Sequence, residues 1–104
     1  MNSMPIFEHC LFRLQFDSEL YDNVTDALLS YPQRELTFVA LPVQAHTYPL
    51  ESITEQVSGY KSKTLLEVTV HCNEARAIYQ HLRGLLPNAA LQLQLMPLLQ
   101  PDWL

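Results

Sequence analysis

An α+β fold with the element order β-α-β-β-α-β is predicted by three features of the 104-residue sequence. Four segments alternate apolar residues with the period of two that is typical of pleated strands. Two longer segments repeat apolar residues at three- and four-residue intervals, as amphipathic helices do. Prolines or capping residues lie at the boundaries between these segments. This order is that of the ferredoxin-like fold, a four-stranded antiparallel sheet with two helices on one face.

The first half of the chain is predicted to form one strand, one helix and a second strand. Residues 10–16 alternate in the period of a strand. The helix begins at Asp17 or Ser18, since either side chain can cap it, and it ends at the next proline. The second strand covers the β-rich residues 36–41, and Pro42 ends its ladder.

The second half begins with a long connection over residues 44–63, in which 52–57 resembles a short helix with a capping box. Residues 64–72 alternate clearly and form the third strand. Asn73 is expected to cap the second long helix, which ends at the following proline. Residues 91–96 form the last strand, closed by a proline.

The chain is predicted to be a single domain over residues 1–104, with an N-terminal lead-in at 8–9 and a C-terminal tail at 98–104. About 100 residues are enough to bury one core. Two cysteines make a disulfide framework improbable and suit a reducing cytoplasm, which is the expected location. The first residues lack the basic start and apolar stretch of a signal peptide.

Charge and glycine content exclude several classes of partner. Six basic against eleven acidic residues, a net charge of −5, argue against nucleic acid. No apolar run reaches the roughly 18 residues of a membrane span, so direct membrane insertion is not expected. With only two glycines, a glycine-rich phosphate loop is ruled out.

The sheet face that carries no helix is expected to be covered by another subunit. It is too apolar for solvent and too polar for a core. Its predicted side chains are Leu11, Arg13, Gln15, Leu65, Glu67, Thr69, Gln92 and Gln94. Arg13 and Glu67 lie on neighbouring strands, where they can pair within or between subunits. Trp103 lies in an unusually apolar tail and is expected to pack on its own or a neighbouring subunit.

The element order, the long connection and the stretch from Glu55 to Lys63, running into residues 65–68, resemble an uncharacterised bacterial PII-like family. That family is related in fold to the PII nitrogen-signalling proteins and the CutA divalent-ion tolerance proteins, and the similarity spans roughly residues 10–98. It implies a homotrimer packed through the open sheet faces, acting as a non-enzymatic sensor or adaptor on an unidentified protein target. Because family members are often encoded near heavy-metal efflux systems, it also implies a link to metal response.

The resemblance is not extended to ATP binding, and no cofactor is assigned. PII proteins bind ATP with a glycine-rich loop and basic residues, whereas residues 83–89 here hold one glycine and no lysine. The 44–63 connection corresponds to the partner-contacting T-loop of PII proteins but is shorter. Tyr48 and Tyr60 are candidates, by location alone, for the tyrosine that some PII proteins modify.

Three further side chains of the connection are candidates for binding a ligand or partner. His46 lies beside Tyr48 and is either such a contact or a solvated loop residue. Lys61 and Lys63 precede the third strand, where they can meet an anionic ligand or an acidic partner. A charged strand start that discourages edge pairing explains the two lysines equally well.

A repeated dipeptide, His9-Cys10 and His71-Cys72, is the candidate metal site. Antiparallel pairing of the first and third strands brings both copies side by side, and zinc or copper accepts such ligands. Alternation places the cysteines on the core face and the histidines on the open face. Three interpretations remain: two buried thiols with interface histidines, a divalent-metal site of His9 and His71 alone, or a frayed strand end at which all four side chains converge.

The resulting function prediction is a PII-like regulatory or adaptor protein without catalytic activity. A copper or zinc buffer or sensor that uses the two strand-end histidines is the alternative, and an enzyme built on a ferredoxin-like scaffold is the third. No catalytic residue is assigned, because both cysteines lie in apolar contexts that raise a thiol pKa and no Ser-His-acid grouping is visible. His81 is expected to be a surface residue of the second long helix.

Overall fold

The computed structural model describes residues 7–46, 49–99 and 103. Nine elements follow one another in this part of the chain. They are β1 (His9–Asp17), a 3₁₀ turn (Ser18–Leu20), α1 (Tyr21–Leu29), β2 (Val39–Ala45), α2 (Ile53–Ser58), β3 (Lys61–His71), a second 3₁₀ turn (Cys72–Glu74), α3 (Ala75–Leu85) and β4 (Gln92–Leu98). The order agrees with the predicted β-α-β-β-α-β pattern, and α2 is the short helix expected in the long connection.

The four strands form one antiparallel sheet in the order β2-β3-β1-β4. The first and third strands are therefore the central pair, as the ferredoxin-like fold requires. The register places Arg13 opposite Glu67 on one side and Gln94 on the other. The predicted fold class is confirmed.

The core lies between the sheet and the helices α1 and α3. Alternate residues of the central strands are buried, because successive side chains of a strand point to opposite faces. The fully buried large side chains come from both strands and both helices: Phe12, Leu14, Phe16, Val24, Leu28, Leu66, Val68, Ile78 and Leu82. Neither α1 nor α3 lies on the other face of the sheet, which is called the open face below.

Prolines do not end the second and fourth strands, contrary to the sequence prediction. Pro42 lies within β2 opposite Thr64, and Pro97 lies within β4 opposite Cys10. Both strands are at the edges of the sheet, where one side of the backbone has no partner strand, so a residue without an N–H group is tolerated there. As β2 runs to Ala45 and β3 starts at Lys61, the 44–63 connection shortens to residues 46–60.

The predicted caps of the two long helices are also wrong. Neither α1 nor α3 has a side-chain cap, because a 3₁₀ turn precedes each helix and leads the backbone into it. Asn73 lies inside the second of these turns. At α2, however, the capping box is complete: Ser52 accepts from the N–H of Glu55, whose carboxylate accepts from the N–H of Ser52.

Cys10 and Cys72 are joined by a disulfide, which corrects the expectation of two free thiols. Cys72 follows β3 directly, and its N–H donates to the Glu8 carbonyl oxygen (3.0 Å), so the pairing of the two chains continues past the strand end. Cys10 and Cys72 are diagonal neighbours on the same face, with Cα atoms 5.2 Å apart. That separation lies within the range that a disulfide spans.

Candidate functional site

Two histidine side chains meet on the open face, at the shared end of the central strands. His9 and His71 are directly opposite each other in the ladder, and their ring centroids are 4.5 Å apart with the rings tilted by 35°. Both residues are half-buried. His9 Nδ1 is buried without a hydrogen-bond partner among the described residues. The predicted contact between the two histidines is therefore present, on the face that alternation indicated.

A groove of about 490 Å³ adjoins His71 and continues toward the start of α3. Glu74 lines this groove and makes two contacts there: its Oε1 lies 3.0 Å from Arg34 Nε and accepts a long hydrogen bond (3.4 Å) from the Tyr31 hydroxyl. Burial, and then the negative charge of Glu74, raise the pKa of Tyr31 above its ordinary value. A smaller cleft of about 240 Å³ beside it contains both histidines.

The imidazole pair can supply two nitrogen ligands to a borderline cation such as Zn²⁺ or Cu²⁺. Within residues 7–46, 49–99 and 103, no group of three or more His, Cys, Asp or Glu side chains is arranged to hold a metal ion. The sulfur atoms do not join the histidines, since they are bonded to each other and lie on the helix-covered face. The convergence of all four side chains on one ion is thus not observed.

The candidate side chains in and next to the β2–β3 connection each lie near another side chain of the domain. His46 is exposed, and its ring centroid lies 6.2 Å from that of Tyr60. Tyr48 lies outside the described residues. The Nζ atom of Lys61 is 3.4 Å from a carboxylate oxygen of Glu51, and that of Lys63 is 3.5 Å from a carboxylate oxygen of Asp17.

These two ion pairs weaken the case for an anion site, because each lysine already has an acidic neighbour. The acidic partners are the more exposed members, at 73% for Glu51 and 51% for Asp17, so both lysines lie against the protein surface. Such an arrangement agrees with the alternative of a charged strand start.

An ion pair lies near the middle of the open sheet face. Arg13 Nη2 and Nε lie 2.9 Å and 3.0 Å from Glu67 Oε2, across the β1–β3 ladder. Both side chains are largely covered, with 32% and 20% exposure. The cross-strand pairing that the sequence suggested is present, and it partly neutralises the two charges of this face.

Apolar side chains of β2 extend the open face beyond the residues predicted from the sequence. Val39 and Leu41 are 59% and 48% exposed and lie opposite Glu67 and Leu65. The predicted second strand, residues 36–41, includes both of them, but neither was assigned to a face of the sheet. Alternation of Val39, Leu41 and Val43 was the signal that could have found them.

The structure corrects the prediction for His81 and narrows the prediction for Trp103. His81 is not a plain surface residue: its Nε2 lies 2.8 Å from the Ala27 carbonyl oxygen and 3.0 Å from Ser30 Oγ, so it joins α3 to α1. Trp103 is 79% exposed, so it does not pack on its own subunit.

In the described part of the chain, no helix has the length and apolar character to cross a membrane.

The fold and its open face define the class of protein: a ferredoxin-like domain similar to PII and CutA proteins. A PII protein from Arabidopsis thaliana, solved with citrate, superposes with a TM-score of 0.66 at 11% identity over 92% of this chain and 82% of its own. CutA from Synechococcus elongatus, solved with Bis-Tris, gives a TM-score of 0.60 at 10% identity over 91% and 84%. At such identities the likeness concerns the fold alone.

The chain belongs to the DUF3240 family, described as a protein of unknown function, whose pattern matches residues 7–101. A DUF3240 family protein from Shewanella baltica superposes with a TM-score of 0.69 at 14% identity, over 93% of this chain and 97% of its own. No curated protein matches the sequence. The resemblance to a PII-like family of unknown function is thereby confirmed.

Proposed function

We propose that this protein is a non-enzymatic PII-like regulatory or adaptor protein that works as a homotrimer assembled through its open sheet faces. The observation that carries this proposal is the Arg13–Glu67 pair among apolar side chains on the sheet face opposite α1 and α3. An antiparallel sheet can face water on one side, but then its exposed residues are usually polar. Here Val39 and Leu41 project from that face.

The paired charges make coverage by a second subunit energetically acceptable. Desolvating an isolated charge is costly, whereas a hydrogen-bonded ion pair offsets much of that penalty. Since Arg13 and Glu67 are already paired within one chain, a neighbouring subunit needs to supply only apolar contact. The exposed side chains of β2 are suited to that role.

The oligomeric state under native conditions tests the assembly. The wild-type chain is expected to sediment at three times its mass of 12.0 kDa. Leu41→Asp places an unpaired carboxylate in the proposed interface and is expected to sediment as single chains at the same micromolar concentration. Native mass spectrometry gives an independent count of chains.

Leu29→Asp is the matched control for this experiment. Leu29 is 66% exposed on α1, which packs on the opposite face of the sheet, so this variant is expected to keep the wild-type mass. A wild type that stays a monomer at micromolar concentration would overturn the proposal. A trimer that tolerates Leu41→Asp would show that the subunits meet elsewhere.

A second candidate function is metal binding by His9 and His71, as expected of a copper or zinc buffer or sensor. The observation in its favour is the contact of the two rings together with the buried Nδ1 of His9, which has no hydrogen-bond partner in the part of the chain that the structure describes. A buried polar atom without a partner is uncommon and requires a reason. Two imidazoles leave the remaining positions of a tetrahedral ion to water or to a further copy of the chain.

Titration with Zn²⁺ and Cu²⁺ tests this candidate through the thermal stability of the protein. The wild type is expected to melt at a higher temperature with metal, since ligand binding to the native state stabilises it. His71→Ala is expected to remove that shift, whereas the exposed His46→Ala is expected to retain it. An equal shift in His71→Ala, or none in the wild type, would refute the histidine site.

A further inference from the structure

We propose that the Cys10–Cys72 disulfide controls metal binding by the histidine pair: the disulfide form binds the ion more tightly than the reduced form does. The inference rests on the second candidate function, because it concerns the regulation of that same site. Its starting point is that each cysteine directly follows one of the two histidines. The bond between the cysteines therefore joins the two backbone segments that carry the ligands.

The disulfide lies at the point where the central ladder ends. His9 is the first residue of β1 and His71 is the last residue of β3. Beyond them, the Cys72 N–H to Glu8 carbonyl hydrogen bond continues the pairing by one step before the chain turns away. Strand ends open locally at low free-energy cost. The covalent bond opposes that opening next to His9 and His71, whose imidazoles have to stay close to each other to bind one ion.

The control acts through the backbone and not through the sulfur atoms as ligands. Cys10 points to the helix-covered face, whereas His9 points to the open face, because neighbouring side chains of a strand alternate. A metal ion on the open face is therefore held by the imidazoles and not by the sulfur atoms. Holding two ligands in place before the ion arrives raises affinity, since less conformational freedom is lost on binding.

A small reductant has a route to the bond through Cys72. Cys10 is 9% exposed, whereas Cys72 is half-buried. Two molecules of a low-molecular-weight thiol supply two electrons and two protons. The first attacks Cys72 and frees the Cys10 thiol, and the second releases the Cys72 thiol. The protein S–S bond is thereby replaced by one S–S bond between the two reductant molecules.

Thermodynamic linkage requires the coupling to be reciprocal. If the disulfide favours the metal, then bound metal must favour the disulfide and make it harder to reduce. Reduction of the disulfide and binding of a divalent cation are thus coupled at one end of the central strand pair.

Isothermal titration with Zn²⁺ compares the oxidised wild type with Cys10→Ser/Cys72→Ser, which cannot form the bond. The oxidised protein is expected to bind about tenfold more tightly, a typical coupling between two linked sites. The far-UV circular dichroism of the double variant checks its fold. Wild type reduced with a phosphine is the second measurement, and it is expected to match the double variant, with reoxidation restoring the affinity.

The outcomes separate this inference from the function on which it rests. Zn²⁺ affinities that agree within about twofold between the two redox forms would overturn the redox control but leave the metal site intact. No Zn²⁺ binding in the oxidised wild type would overturn both. Tighter binding by the reduced wild type than by the serine variant would show that the thiols are ligands, which also refutes the proposed mechanism.

Discussion

Gly59 and Gly84, the only glycines of the chain, occupy backbone positions with opposite requirements. Gly59 ends α2 with φ of 81°, in the left-handed region that other residues adopt at a cost. Gly84 lies in the last turn of α3, where a glycine only weakens the helix. A Cβ atom added at either position would have open space around it, apart from the adjoining backbone. The two sites therefore differ in backbone conformation and not in space.

Alanine substitutions at these two glycines are predicted to change stability in opposite directions. Gly59→Ala is expected to cost about 1 kcal/mol, because an L-residue is strained in the left-handed region. Gly84→Ala is expected to add about 0.5 kcal/mol, because alanine loses less conformational entropy in a helix. Urea denaturation measures both. A change of the same sign in the two variants would contradict this interpretation.

Side-chain pairs were predictable where they follow directly from strand register. Arg13 meets Glu67 and His9 meets His71, because alternation determines which residues of two paired strands share a face. The salt bridges of Lys61 and Lys63 were not predictable. Their partners, Glu51 and Asp17, lie on a loop and at a strand end whose positions depend on the folded connection.

At the scale of elements, β1 was located most accurately, to within one residue at each end, and β2 was located least accurately. One face of β1 and of β3 is buried, so their apolar alternation is strong, although β3 starts at Lys61, three residues before its predicted start. Residues 36–38 are also apolar and β-rich, yet they precede β2. A strand is defined by pairing with its neighbour, and local composition does not reveal which residues of an apolar stretch reach that neighbour.

The edge strands show why a proline signal can be misread. A proline ends a strand only when its missing N–H would face a partner. Pro42 and Pro97 lie in β2 and β4, at the two edges of the sheet, so the ladder passes through both residues. Their presence also hinders addition of further strands at these edges. Subunit contact through the open face does not require such additions.

At the scale of the whole molecule, the disulfide closes a loop between residues 62 positions apart. Restricting the unfolded chain over such a loop is expected to stabilise the native state by about 4 kcal/mol in the chain-entropy model, and measured values are often nearer 2 kcal/mol. Cys10 lies in β1 and Cys72 in the 3₁₀ turn between β3 and α3, so the bond connects the two central strands at one end of the sheet.

Reduction is therefore predicted to lower the melting temperature by roughly 10–20 °C, given the usual relation between stability and melting temperature for domains of this size. Scanning calorimetry with and without a phosphine measures the difference. Cys10→Ser/Cys72→Ser is the control, and its melting temperature is expected not to respond to the phosphine. Equal melting temperatures for the oxidised and reduced wild type would show that the bond contributes no net stability.

The sequence by itself determined the element order, the core faces of the central strands and the meeting of the two His-Cys dipeptides. The first two features follow from periodicity, which acts over short distances along the chain. The meeting of the dipeptides follows from the antiparallel pairing of the two central strands, which this element order implies. The tertiary structure decided the disulfide, the extent of β2 and the partners of the lysines. Each of these depends on the distance between residues far apart in the chain, such as the 5.2 Å between the Cα atoms of Cys10 and Cys72. The periodicity of the sequence predicts secondary structure but not such distances, which are set when the sheet forms.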